Sequence, residues 1–317
     1  MHEVEYKEIL DRKRHVDDVK THFSDALCLL VDIVNYGTNL IPRVFATSDR
    51  DMTVMVVVGV LLKQVVSMLD SIEILISNAH IHASKLAFRA LFEASVYIEW
   101  ILKEQADKKS KYYYISNLRG ERLWALRTIR DTEEHASFKH VRDQLNVDPS
   151  SKNEKLENDA KVHLSEIEII LSQDAFKSIN DDFEKIRNNN RRKTEPYWYK
   201  PFQINSLRHM AKSLNRHAQY DIFYAQGSDV THAARYKDHI RISKGRIEFI
   251  PVRFLEDIAT TLNFSISITI NTYRTVLSYY RPGEMPNFDR KYISDWREVF
   301  LNIKSVNYQY EGPEKRI

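Results

Sequence analysis

The stretch that decides how this chain folds is His80-Ile-His-Ala-Ser-Lys-Leu-Ala-Phe-Arg-Ala-Leu-Phe-Glu-Ala94. Its apolar residues recur at three- and four-residue spacing, the period of an α-helix and not of a strand. His82, Lys85, Arg89 and Glu93 fall at i, i+3, i+7 and i+11, so they share one face of that helix. Apolar residues fill much of the remaining circumference, which predicts a central helix. Isolated buried charge is costly, so a charged stripe on such a helix must be paired or must line a cleft. Arg89 and Glu93, four apart, are spaced to pair with each other. The stripe therefore reads either as a structural ion-pair layer or as a binding face.

Working outward, the same period continues through most of the chain. Before the central helix it predicts one helix over 15–36, with Phe23, Leu27, Leu30 and Val34 along a stripe. A second is predicted after Ser48-Asp49, through Val54, Leu61, Val65 and Leu69 to about residue 77. Helical patterning resumes over 111–145, then over 159–171 and 175–187. Asn146 to Asn158 is polar and proline-bearing, a surface connection. Pro196-Tyr-Trp-Tyr-Lys-Pro201 is predicted to be an ordered loop docked on the helices, and a helix is predicted from about residue 206 to 224 or beyond. Alternation around Lys244-Gly245 predicts a two-stranded hairpin near 239–250. A long helix over 252–280 and a short one over 292–303 follow. The expected fold is all-α, a multi-helix bundle with one small β-hairpin. It is read as a single helical domain over 1–317, with 1–145 and 159–317 as two halves packed together.

Composition agrees with helices. Glycine and proline number only 7 and 8 in 317 residues, roughly a third and a half of average usage. Few turn-formers in a long chain mean few turns. With 43% hydrophobic and 29% charged residues the chain can bury a core. The net charge of +3 is too small to argue for nucleic acid by itself. The single cysteine, Cys28, sits in an apolar stretch and reads as a small buried hydrophobe in a reducing compartment. The charged N-terminal stretch holds no apolar signal-peptide core. The most apolar run, Val54 to Leu62, stops at Lys63, well short of the about 20 residues of a membrane span. A cytoplasmic protein without membrane contact is expected.

A second chemistry-bearing segment is Tyr220-Asp-Ile-Phe-Tyr-Ala-Gln-Gly-Ser-Asp-Val-Thr-His232. On a continuous helix Tyr220, Tyr224, Ser228 and His232 fall at successive i+4 steps, with Gly227 as a candidate break. A histidine titrates near 6.5 and suits acid–base work, although a core histidine held by hydrogen bonds is the blander reading of His232. His80 and His82 point about 200° apart on a helix, so that pair does not chelate a metal. No zinc, phosphate-loop or nucleophile-elbow motif is present, and no metal or cofactor is expected. Arg187 to Lys193 beside Tyr197-Trp198-Tyr199 mixes cations with aromatics, as single-strand binders do, or as a solvated helix end beside a docked loop does.

An Arg-x-x-x-Glu helix (Arg89, Glu93) followed by a Tyr-rich helix ending in Ser-x-x-x-His (Ser228, His232) resembles an uncharacterised all-helical bacterial family, known only as a domain of unknown function. The resemblance covers about residues 52–232. The family's last motif often reads Leu-Ser, and Gly227-Ser228-Asp229 departs from it. More loosely, the chain is similar to HEPN-type helical ribonucleases, which use an Arg and a later His with four to six residues between them. Arg130 and His135 match that spacing, but a chain this rich in both residues supplies such matches by chance. Their acidic filling, Asp131, Glu133 and Glu134, would also repel a phosphate. The expected site is therefore His232, Arg89, Glu93 and Ser228 as catalytic residues, with Lys85, His82, Tyr224 and Tyr220 binding substrate. The implied function is a metal-independent ribonuclease-like toxin or phage-defence effector, with RNA and a second copy or partner protein as its partners. The competing expectation is a non-catalytic helical sensor or scaffold.

Overall fold

In the computed structural model, residues 10–46, 50–144, 154–191, 194–225, 227, 230, 239–243 and 246–306 are described. The chain is predominantly α-helical. Its helices are α1 (Arg12–Ala46), α2 (Met52–Ser77), α3 (Ile81–Lys103), α4 (Ala106–Thr128), α5 (Glu133–Ser137), α6 (Lys139–Gln144), α7 (Glu154–Ser172) and α8 (Asp174–Asn189). After a 3₁₀ turn at Lys200–Phe202 come α9 (Leu207–Ser213) and α10 (His217–Gln219), which runs into a π-helical turn at Tyr220–Tyr224. The C-terminal part holds α11 (Ile258–Tyr280), α12 (Met285–Lys291), a π-turn at Tyr292–Trp296 and α13 (Arg297–Leu301). Ile240–Ser243 pairs antiparallel with Arg246–Phe249, Ile242 facing Ile247, and residues 244 and 245 lie outside the described residues.

Two compact units form. One holds residues 1–50, 58–104 and 206–317, the other 51–57 and 105–205. In the first, α3 packs along α11. Both helices bury small hydroxyl residues: Ser84 and Ser95 on α3, Thr261, Ser265, Thr269 and Thr272 on α11. Ser84, Ser95, Ser265 and Thr272 donate to carbonyls one turn earlier in their own helices, which lets a polar residue sit in a core. α1 meets α11 where Tyr273, fully buried, donates to the Ile33 carbonyl at 3.1 Å. Burial pushes the Tyr273 hydroxyl far above its ordinary pKa, so it remains a donor. A side chain at Gly37 would start 1.9 Å from the Tyr273 oxygen and 2.6 Å from Val66, so this three-helix meeting requires a residue with no Cβ.

In the second unit, α4 packs against α7 and α8. Arg119, 3% exposed, closes it: its guanidinium reaches Glu195 at 2.9 and 3.0 Å, Glu184 at 2.9 Å and Asn180 at 2.5 Å. A buried guanidinium with its hydrogens shared among two carboxylates and an amide is the satisfied case of a buried charge. Trp198 and Tyr199 are buried, the former edge-on to Tyr113 at 5.3 Å, so the aromatic loop is docked on the helices.

Several boundaries differ from the periodicity alone. α1 does not stop at Tyr36. It runs through Gly37, which serves a close contact and not a cap, and through Pro42, which removes one helical hydrogen bond near the end. Cys28 is exposed and not buried, because the core stripe of α1 passes through Ala26, Leu27, Leu30 and Ile33 and leaves it on the outer face. The helix expected over 111–145 ends at Thr128. There Thr132 accepts from the His135 amide and Glu133 and Glu134 occupy the first turn of α5, a start signal inside an apparent helix. The helix expected from 206 breaks at Asn215, whose φ of 59° is the left-handed conformation that ends helices. Likewise α11 starts at Ile258, after Asp257 at φ 66°, and not at 252. The last helix of the sequence reading begins seven residues earlier, at Met285. Finally, α2 is long and apolar enough to cross a membrane despite Lys63, but 56% of its apolar window is buried inside the protein.

These glycines give opposite forecasts. Gly37→Ala should lose about 1–3 kcal/mol of unfolding free energy in urea, because the buried Tyr273 ring has nowhere to go. Gly120→Ala, inside α4 with nothing within 4 Å of its Cβ position, should gain up to about 1 kcal/mol.

Candidate functional site

The charged face of α3 faces the chain from α9 onward. Arg89 donates to the Tyr224 hydroxyl at 3.0 Å, and that hydroxyl donates to a Glu93 oxygen at 3.3 Å. The Arg89 guanidinium also lies 4.5 Å from the centre of the Tyr224 ring. Glu93 takes a second hydrogen bond from Tyr97 at 2.7 Å. The spacing that suggested an Arg89–Glu93 pair is thus bridged by a phenol from another part of the chain.

The π-turn sets the aromatic side of this site. Tyr220 and Tyr224 stack with ring centres 4.8 Å apart, and both rings pack on Phe92. Burial raises the pKa of both phenols, which outweighs the lowering by Arg208 and Arg89 at Tyr220 and by Arg89 at Tyr224. Tyr224 is therefore neutral at pH 7 and able to act as the donor to Glu93. Both folded-state pKa values lie above the unfolded value of about 10. Their stabilising contribution is complete below that pH and is lost as pH rises through the folded values.

Gly227 fixes the approach. It is buried, and a Cβ there would sit 2.8 Å from both the Lys85 carbonyl oxygen and the Arg89 Cβ. The residue that the sequence offered as a helix break is helical and serves backbone-to-helix contact. The segment leading to Ser228 and His232 is thereby laid on the Lys85–Arg89 turn. Ser228 and His232 themselves lie outside the described residues.

Lys85 pairs with Asp257 at 3.2 Å, and the His82 ring lies 4.9 Å from that of His239. On either side of Tyr97 in α3, Arg216 donates to Glu99 and to Ser95, and its guanidinium lies over Phe92. Six of the eight residues expected at the site thus occur on one face of α3 or on the segment packed against it. Tyr97 was within reach of the sequence, since it continues the stripe one turn past Glu93. Asp257, Arg216 and His239 were not, because nothing local ties them to α3. The looser Arg130–His135 pair does not form a site: Arg130 pairs with Glu157, and the His135 ring bonds the Arg127 carbonyl. Among the described residues no group of three His, Cys, Asp or Glu is placed to hold a metal ion.

Gly227→Ala should cost about 1–3 kcal/mol in urea unfolding, since the obstructing Lys85 carbonyl belongs to a helix backbone that cannot yield cheaply. The urea midpoint should fall as pH rises above about 10, because the unfolded chain ionises its phenols while burial keeps these two neutral, and the fall should be smaller in a Tyr220→Phe/Tyr224→Phe variant.

No curated protein and no solved structure matches this chain. Residues 55–241, which include α3, Tyr220, Tyr224 and Gly227, match a family described as a family of unknown function, DUF5677. That match spans more than half of the sequence, and the chain belongs to this family.

Proposed function

We propose that the chain is a metal-independent ribonuclease-like effector, of the toxin or phage-defence kind, acting in the cytoplasm as a dimer. The observation that carries this reading is the meeting of the Arg89 turn with the Tyr220–Gly227 segment. It supplies a cation beside stacked aromatic rings at the entrance to the stretch that contains His232.

RNA cleavage without metal needs a base for the 2′-hydroxyl and positive charge for the phosphorane. In this reading His232 takes the 2′-hydroxyl proton as the 2′-oxygen bonds to phosphorus. The bond to the 5′-oxygen breaks, and that oxygen takes a proton from water. Arg89, with Lys85, meets the charge that builds on the phosphate. Glu93 aims Arg89 through the Tyr224 hydroxyl, Tyr220 and Tyr224 offer ring faces to a base, and Ser228 and His82 contribute polar contacts.

One observation favours the second reading, a non-catalytic helical sensor or scaffold. Arg89, Tyr224, Glu93 and Tyr97 satisfy one another, as a structural polar layer would.

Expression of wild type, His232→Ala and Arg89→Ala, with cell growth and total RNA followed, separates the two. The ribonuclease reading expects growth arrest and RNA loss for wild type only. On purified protein each substitution should slow cleavage of an oligoribonucleotide by about a hundredfold or more. Intact RNA with wild type sinks cleavage, and toxicity that survives His232→Ala removes His232 from the mechanism.

A further inference from the structure

The aromatic loop of the second unit contains one ring that packing does not explain. Trp198 and Tyr199 are 6% and 5% exposed, whereas Tyr197 between them and Pro196 is 67% exposed. Tyr197 nevertheless has a packed neighbour. Its ring lies parallel to that of Tyr199, 5.4 Å between centres and 6° between planes, so one face is covered and the other is presented outward.

The support beneath it is rigid. Tyr199 is braced edge-on by Trp198 at 5.7 Å, and Trp198 by Tyr113 at 5.3 Å. Just upstream the Glu195 carboxylate is held at both oxygens by buried Arg119. Downstream the Lys200 amide donates to the Tyr197 carbonyl at 3.0 Å and the Phe202 amide to that of Tyr199 at 3.1 Å. Fixing a ring in water costs side-chain entropy and buries little apolar surface, so folding alone gains little from Tyr197. A pre-ordered ring face does favour binding, because the ordering cost is already met.

The surroundings indicate what it binds. The loop opens with the basic run Arg191 to Lys193, of which Arg191 is described and exposed. Lys200 follows the ring by three residues, its amine on the Asn205 side chain at 3.2 Å. A single outward ring with cations before and after it in the sequence suits a flat base attached to a phosphate, not a broad apolar partner.

We propose that Tyr197 is a stacking platform for a base of single-stranded RNA. The choice of RNA rests on the reading of the chain as an RNA-cleaving protein. The stacking itself requires only a base and a phosphate backbone.

The test uses the full-length protein and a fluorescein-labelled 12-nucleotide 2′-O-methyl oligouridine, followed by anisotropy at low salt. Such a strand has no free 2′-hydroxyl, so binding is read whether or not the protein cleaves RNA. Wild type should bind, and the affinity should fall as salt is raised. Tyr197→Ala should weaken binding about tenfold or more, and Tyr197→Phe, which keeps the ring face, should bind as wild type does. An unchanged thermal midpoint for both variants excludes a folding effect. No binding by wild type, or equal binding by Tyr197→Ala, overturns the proposal. A protein that binds in this way yet leaves RNA intact retains the platform and loses only the cleavage reading.

Discussion

A tyrosine hydroxyl shared between Arg89 and Glu93 resolves the main conflict in this molecule. α3 buries Phe88, Leu91, Phe92, Val96 and Ile98 on most of its circumference, yet carries Lys85, Arg89, Glu93 and Glu99. Charges so near a core need partners, and four helical turns cannot supply them all from within. The partners arrive from chain more than a hundred residues away: Tyr224 for Arg89 and Glu93, Arg216 for Glu99, Asp257 for Lys85. The requirement to meet these charges draws the segment from Arg216 to Gly227 onto α3 and sets its register there.

Steric detail completes what electrostatics begins. Gly227 lets a backbone lie against the Lys85 carbonyl, just as Gly37 lets α1 meet Tyr273 and Val66. Both glycines sit where the sequence suggested a helix end, and both are buried contact points inside helical chain. A buried glycine in a helix, as at these two positions, is a point of close approach and not a stop, whereas Gly120 in α4 has open space around it and is neither.

That contrast shows what the sequence makes legible. The helices α2, α3, α7 and α8 follow from apolar period because each is long and has one buried stripe. The breaks at Thr132 and Asn215 do not, because each depends on one residue whose start or stop signal is weaker than the period around it. Cys28 was misplaced because apolar neighbours do not reveal which side of a helix a residue faces. The Arg89–Glu93 stripe was visible, as its spacing is local. Its phenol bridge, the Lys85–Asp257 pair and the His82–His239 contact were not, since they depend on how distant segments cross. The same limit applies to Tyr197: sequence shows an aromatic loop beside basic residues, while only the fold separates the two docked rings from the one left outward.

The claim beneath both functional readings is that Arg89 of α3 and Tyr224 of the π-turn act as one unit. A double-mutant cycle with Arg89→Met and Tyr224→Phe, read as unfolding free energy in urea, tests it directly. The account predicts non-additive losses, with a coupling of about 0.5–3 kcal/mol between the two positions. Losses that add to within about 0.3 kcal/mol would mean that the two side chains do not meet, and would contradict it.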